Sequence, residues 1–104
     1  MPAFDVIDVI RAKRDGEQLS ADQIRWVIDA YTRGAVPDEQ MSALLMAIFF
    51  RGMAADELAV WTRAMIDSGE RKDLSSLGRP TADKHSTGGV GDKTTLPLAP
   101  LVAA

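Results

Sequence analysis

Met41-Ser42-Ala43-Leu44-Leu45-Met46-Ala47-Ile48-Phe49-Phe50 is apolar at nine of its ten positions. Wound into a helix, such a run is apolar almost all the way round, and a helix of that kind is buried on several sides. Two arrangements satisfy it. The helix lies at the centre of a small bundle, or part of its surface faces another subunit. Pro37 in the first turn, with Asp38 and Glu39 beside it, marks its start. Its Met and Phe side chains are expected in the core.

Three further helices are legible around it. Residues 4–14 place Phe4, Val6, Ile7, Val9 and Ile10 ahead of Arg11, Lys13 and Arg14. The cations fall in the last turn, where they suit the helix dipole, and Gly16 supplies a stop. Ser20-Ala21-Asp22-Gln23 is a capping-box pattern that opens a helix with Ile24, Val27, Ile28 and Tyr31 on one stripe, ending at Gly34. A fourth helix spans about Ala54 to Asp67, with Leu58, Trp61, Met65 and Ile66 expected inward and Gly69 as its stop. Trp26 and Trp61 read as core or interface residues.

Composition narrows the function. The 104 residues allow one domain, or one domain and a piece of another. A net charge of −3 argues against nucleic acid as the main partner. The absence of cysteine removes disulfides, thiolate metal sites and cysteine nucleophiles together. No basic stretch followed by an apolar run opens the chain, and the longest apolar stretch, Ala43–Phe50, is far too short to span a bilayer. The expectation is a soluble, cytoplasmic protein.

Residues 69–80 form a polar linker ending in Gly78-Arg79-Pro80, in which Arg71 and Lys72 are solvated. An extended segment over 80–86 follows, then a glycine loop and an apolar helix from Thr94 onward that Pro100 weakens. Strand, glycine loop and helix make the opening unit of an α/β domain. One strand forms no sheet, and its helix has an apolar face with nothing to cover, so the chain reads as truncated. The expected fold is mainly α: a helical bundle of about four helices over 1–68, a hinge over 69–80, and the start of a truncated α/β phosphate-binding domain over 81–104.

The loop is Lys84-His85-Ser86-Thr87-Gly88-Gly89-Val90-Gly91-Asp92-Lys93. Glycines let the backbone turn with positive φ and admit a ligand without a Cβ in the way. Successive N–H groups then converge on an anion, helped by the positive end of the following helix. Lys84 adds a full charge, and Ser86, Thr87, Thr94 and Thr95 add hydroxyl donors. Inorganic phosphate or a phosphorylated sugar is the natural guest. A Walker A loop requires glycine directly before its lysine, where Asp92 stands; a dinucleotide fingerprint begun at Gly89 and Gly91 requires glycine at Thr94. His85 taken alone is more often structural than functional.

The run Lys84-His85-Ser86-Thr87-Gly88-Gly89-Val90-Gly91-Asp92 closely resembles the phosphate loop of the thymidine and pyrimidine-nucleoside phosphorylases, as does Met41–Gly52 a helix of their small domain. The resemblance extends over essentially the whole chain. It implies a helical domain that supplies a homodimer interface, joined by hinges to a large α/β domain. It further implies phosphorolysis, in which phosphate displaces a pyrimidine base from a nucleoside to give a pentose 1-phosphate. Under it, Lys84, Ser86 and Thr95, with Gly88 and Gly89, hold phosphate, and His85 is the catalytic residue, set by the pyrimidine carbonyl.

No cofactor is implied, phosphate being a co-substrate. No metal is expected, because Lys93 stands where some relatives hold a monovalent cation. The family's Ser-Gly-Arg base-reading segment is absent, so this chain by itself is expected to be inactive. Pyrimidine nucleoside and phosphate are the expected partners of the full-length protein, with a second copy of the chain and neither nucleic acid nor membrane. Two alternatives stand beside this: a non-catalytic helical dimerisation module, and a fragment of an enzyme like anthranilate phosphoribosyltransferase.

Overall fold

A computed structural model describes residues 3–84, 93 and 95–104. It divides into two compact units, Met1–Lys72 and Asp73–Ala104. The first is a four-helix unit: α1 (Val6–Arg14), α2 (Ala21–Thr32), α3 (Asp38–Arg51) and α4 (Ala55–Ser68). α1 packs on α3 and α2 packs on α4, with a lighter contact between α1 and α2.

Local chemistry sets the helix ends. Asp5 caps α1 by accepting the Ile7 N–H at 2.8 Å, so the helix begins two residues later than the apolar pattern predicts. Ser20 and Gln23 form the expected capping box at α2, the Ser20 Oγ accepting the Gln23 N–H and the Gln23 Oε1 accepting the Ser20 N–H. Gly16 and Gly34 end α1 and α2 with φ of 91° and 77°. That left-handed turn lets Glu17 and Ala35 donate back to the Ala12 and Ala30 carbonyls, so orphan acceptors are satisfied where a β-carbon would be strained. Pro37 lies one position outside α3, as its N-cap, rather than in the first turn.

The core is built from Val6, Val9, Leu19, Ile24, Val27, Ile28, Ala30, Val36, Met41 and Leu44. Each large aliphatic buried here contributes about 1.5–3 kcal/mol. Phe4 meets Trp26 edge-on at 6.0 Å between ring centroids, and both pack against this core with Ile10, Ile48, Val60, Trp61 and Ala64. Tyr31, expected on the buried stripe of α2, is exposed instead; its hydroxyl donates to Asp38 Oδ1 at 2.9 Å, and that carboxylate raises the phenol's pKa.

Two further sequence expectations fail in this unit. On α4 the inward face is Glu57, Val60, Trp61 and Ala64, while Leu58, Met65 and Ile66 are exposed. The true stripe has the spacing i, i+3, i+4, i+7, but a carboxylate occupies its first place and hides it from an apolar count. On α3, Met41 and Leu44 are buried, but Leu45 and Met46 are exposed and Phe49 and Phe50 are 79% and 75% exposed. The Met46, Phe49 and Phe50 side chains are therefore outside the core.

A buried ion pair explains the first failure. Lys13, in the last turn of α1 as expected, is only 3% exposed, as is Glu57. Lys13 Nζ donates to both Glu57 oxygens at 2.9 and 3.0 Å. The same carboxylate accepts the Leu19 N–H at 2.7 Å and the Ala54 N–H at 2.8 Å, the latter capping α4 from within. Burial pushes the Glu57 pKa up, but the two amides and Lys13 together outweigh it and hold the group below its ordinary value.

The second unit holds a 3-10 turn, Ser75–Leu77, and α5 (Thr95–Ala103). Asp73 Oδ1 accepts the Ser75 N–H at 2.9 Å, and the Ser75 contacts hold the Asp73 carboxyl below its usual range. α5 forms despite Pro100 within it, and leaves Leu96, Leu101 and Val102 exposed. No strand is present among the described residues. Residues 81–84 run between elements without a ladder partner, and the rest of the expected strand and the glycine loop, 85–92, lie outside the described residues. Among the described residues no helix is long and apolar enough to cross a membrane.

Candidate functional site

The chain segment leading to the glycine loop and the helix beyond it line a half-open cavity of about 720 Å³. Arg79, Asp83 and Lys84 line it from the segment, and Thr95, Leu98 and Val102 from α5. Two of the sequence-chosen residues, Lys84 and Thr95, thus share one cavity. α5 begins at Thr95, which puts that residue in its first turn. The other four, His85, Ser86, Gly88 and Gly89, lie outside the described residues.

The cavity has a cationic rim and an apolar wall. Arg79 and Lys84 bring two positive charges against the single carboxylate of Asp83, whose Oδ1 accepts the Lys84 backbone N–H at 2.8 Å. That bond fixes the backbone at the entry to the loop. The first turn of α5 adds the positive end of a helix dipole beside Thr95. Chemically, such an arrangement suits an anion. A second hollow of about 640 Å³, by Tyr31, Asp38 and Glu39, has two carboxylates and no cation in its lining, and repels the same guest.

Arg79 was assigned to the linker by sequence. It lies between Gly78, which takes a left-handed φ of 62°, and Pro80, which biases the arginine backbone toward extended conformations. Arg71 and Lys72 are exposed, as a solvated linker requires, and neither lines the cavity.

The model of the glycosyl transferase family helical bundle domain matches residues 7–69, and the chain belongs to this family. Within it, the chain is 64% identical over 102 residues to the thymidine phosphorylase of Mycobacterium tuberculosis, covering 98% of this chain and 24% of the relative. It is 56% identical over 99 residues to the pyrimidine-nucleoside phosphorylase of Geobacillus stearothermophilus, covering 95% of this chain and 23% of that protein. The corresponding protein of Staphylococcus epidermidis is 54% identical over 99 residues. The chain spans about a quarter of the length of the curated relatives it matches.

Proposed function

We propose that this chain is the helical domain and phosphate loop of a pyrimidine-nucleoside phosphorylase that accepts thymidine. The observation that carries the proposal is the similarity to the mycobacterial thymidine phosphorylase over 102 of 104 residues, which necessarily runs through Lys84–Thr95. In this reading residues 1–68 are the helical domain, 69–80 the hinge, and 81–104 the first strand, loop and helix of an α/β domain. No cofactor or metal takes part, and the enzyme works in the cytoplasm.

Phosphate oxygen forms a bond to the anomeric carbon as the bond from that carbon to the pyrimidine nitrogen breaks, and the electron pair leaves with the base. Lys84, Ser86, Thr95 and the amides around Gly88 and Gly89 bind and orient phosphate, so that its attack becomes effectively unimolecular. His85 donates a hydrogen bond or proton to the pyrimidine carbonyl as charge builds there. The test is phosphate-dependent release of thymine from thymidine by the protein in its full reading frame. Release is expected from that protein and none from residues 1–104 alone. Pentosyl transfer from phosphoribosyl pyrophosphate, with no phosphorolysis, would instead place the protein with the phosphoribosyltransferases.

The exposed face of α3 supports a homodimer in the same reading. Leu45, Met46, Phe49 and Phe50 form an apolar strip along one helix, with the Phe49 and Phe50 rings edge-to-face at 5.6 Å. Covering this strip with a second copy removes it from water. Phe49→Glu places a charge in that contact, and sedimentation velocity at micromolar concentration is expected to show a monomer where the parent chain is a dimer. A parent chain that is monomeric at every concentration tested would remove the dimer from the proposal.

A further inference from the structure

Among the described residues of the helical unit, every hydrogen bond that a side chain makes with a partner more than a dozen residues away lies at one end. Lys13 and the Leu19 amide bond Glu57, Gln18 Nε2 donates to Asp56 Oδ2 at 2.6 Å, and Arg51 Nε donates to the Arg14 carbonyl at 2.7 Å. These bonds gather the end of α1, the start of α2, the end of α3 and the start of α4. The other half of α4 is held differently. Its side-chain hydrogen bonds are internal, Arg63 to Asp67 and Ser68 to the Met65 carbonyl, and Met65 and Ile66 face solvent.

From this asymmetry we propose that the Glu57 cluster is a fixed pin, and that the bundle opens reversibly from the opposite end by release of α4 over residues 64–68. The pinned half loses several buried polar contacts at once if it moves, each left without a partner, whereas the far half gives up mainly the packing of Ala64. Residues 64–68 continue directly into the connecting segment. Each residue that leaves the helix for extended chain adds about 1.8 Å of reach, so releasing five lengthens the connection by roughly 9 Å. The device is a connector whose length is adjustable and whose inner limit is set by Glu57.

Native-state amide exchange of the 104-residue chain, followed by NMR, tests this. Residues 60–62 and 64–66 all have intrahelical partners, so the unbonded amides of the first turn do not separate them, and ordinary fraying of the last turn, which acts in parent and variants alike, is removed by comparing the ratio between them. Protection at 60–62 is expected to exceed that at 64–66 by at least about tenfold. In Lys13→Met/Glu57→Leu, which replaces the pin by apolar packing, that ratio is expected to fall toward one. Gln18→Ala/Arg51→Ala removes only exposed contacts, keeps the chain folded, and is expected to reduce the ratio in part. Equal protection of the two segments in the parent chain overturns the proposal, as does a ratio that neither double variant changes.

Discussion

Glu57→Ala is expected to destabilise the helical unit by about 3–5 kcal/mol, the cost of stripping one partner from a buried ion pair. The geometry makes the upper part of that range the natural one. Lys13 is left charged at 3% exposure, and the Leu19 and Ala54 amides lose their acceptor in the same step. At roughly 0.05–0.15 kcal/mol per residue a unit of this size has only about 4–11 kcal/mol to lose, so the variant should be largely unfolded well below the parent's urea midpoint. Circular dichroism under urea checks this directly. An alanine variant within about 1 kcal/mol of the parent would show that water replaces the lost carboxylate without cost.

The pair is not thereby a large net source of stability. Desolvating two charges consumes most of their mutual attraction, so Lys13→Met/Glu57→Leu, which leaves no unpaired charge but still strands the Leu19 and Ala54 amides, is expected to cost clearly less than Glu57→Ala, about 1–3 kcal/mol. Acid separates these descriptions. Because Glu57 sits below its ordinary pKa in the folded state, its contribution is present above the unfolded value of about 4.3 and is lost as pH falls through the folded value. The parent therefore loses stability more steeply below about pH 4.3 than the apolar double variant, which has no such carboxylate to protonate.

Glu57 also marks where the sequence was readable and where it was not. Helix positions followed from local chemistry: the Ser20–Gln23 box, the glycines at 16 and 34, and the proline at 37 each act within a few residues, and each is found within two residues of its expected place. Which face of α4 turns inward depends instead on Lys13, 44 residues away, and no local pattern announces a carboxylate in a core. The α3 run left two readings open from the start. Phe49 and Phe50 in solvent are an outcome that apolar content alone could not choose, because burial within a bundle and burial between chains demand the same residues. Of the site, the sequence pointed to Lys84 and Thr95 through a local pattern inside one dozen residues, and these two line one cavity. Arg79 escaped notice because a lone arginine in a polar linker has no pattern that points to a cavity.

Lys84→Met is expected to lower kcat/KM for phosphate by roughly 10- to 150-fold in the full-length enzyme, the equivalent of about 1.5–3 kcal/mol for one charge-assisted contact. The loss should fall on the phosphate KM more than on kcat. Free phosphate carries between one and two negative charges at neutral pH, and as it attacks, new negative charge accumulates on the departing base, away from the lysine. Under the proposed function Lys84 therefore grips phosphate at least as strongly before the transition state as within it, and such uniform binding governs KM. His85→Ala should show the opposite division. Its bond to the pyrimidine carbonyl strengthens only as charge develops there, so kcat should drop by about 100-fold or more while the phosphate KM barely moves. Arg79 on the same cavity retains one positive charge in the Lys84 variant, which is why residual phosphate binding is expected rather than none. Steady-state kinetics with each substrate varied in turn separates the two. If Lys84→Met cut kcat and left the phosphate KM alone, the lysine would be meeting charge that forms during the reaction, and the assignment of the phosphate to its side of the cavity would have to be reversed.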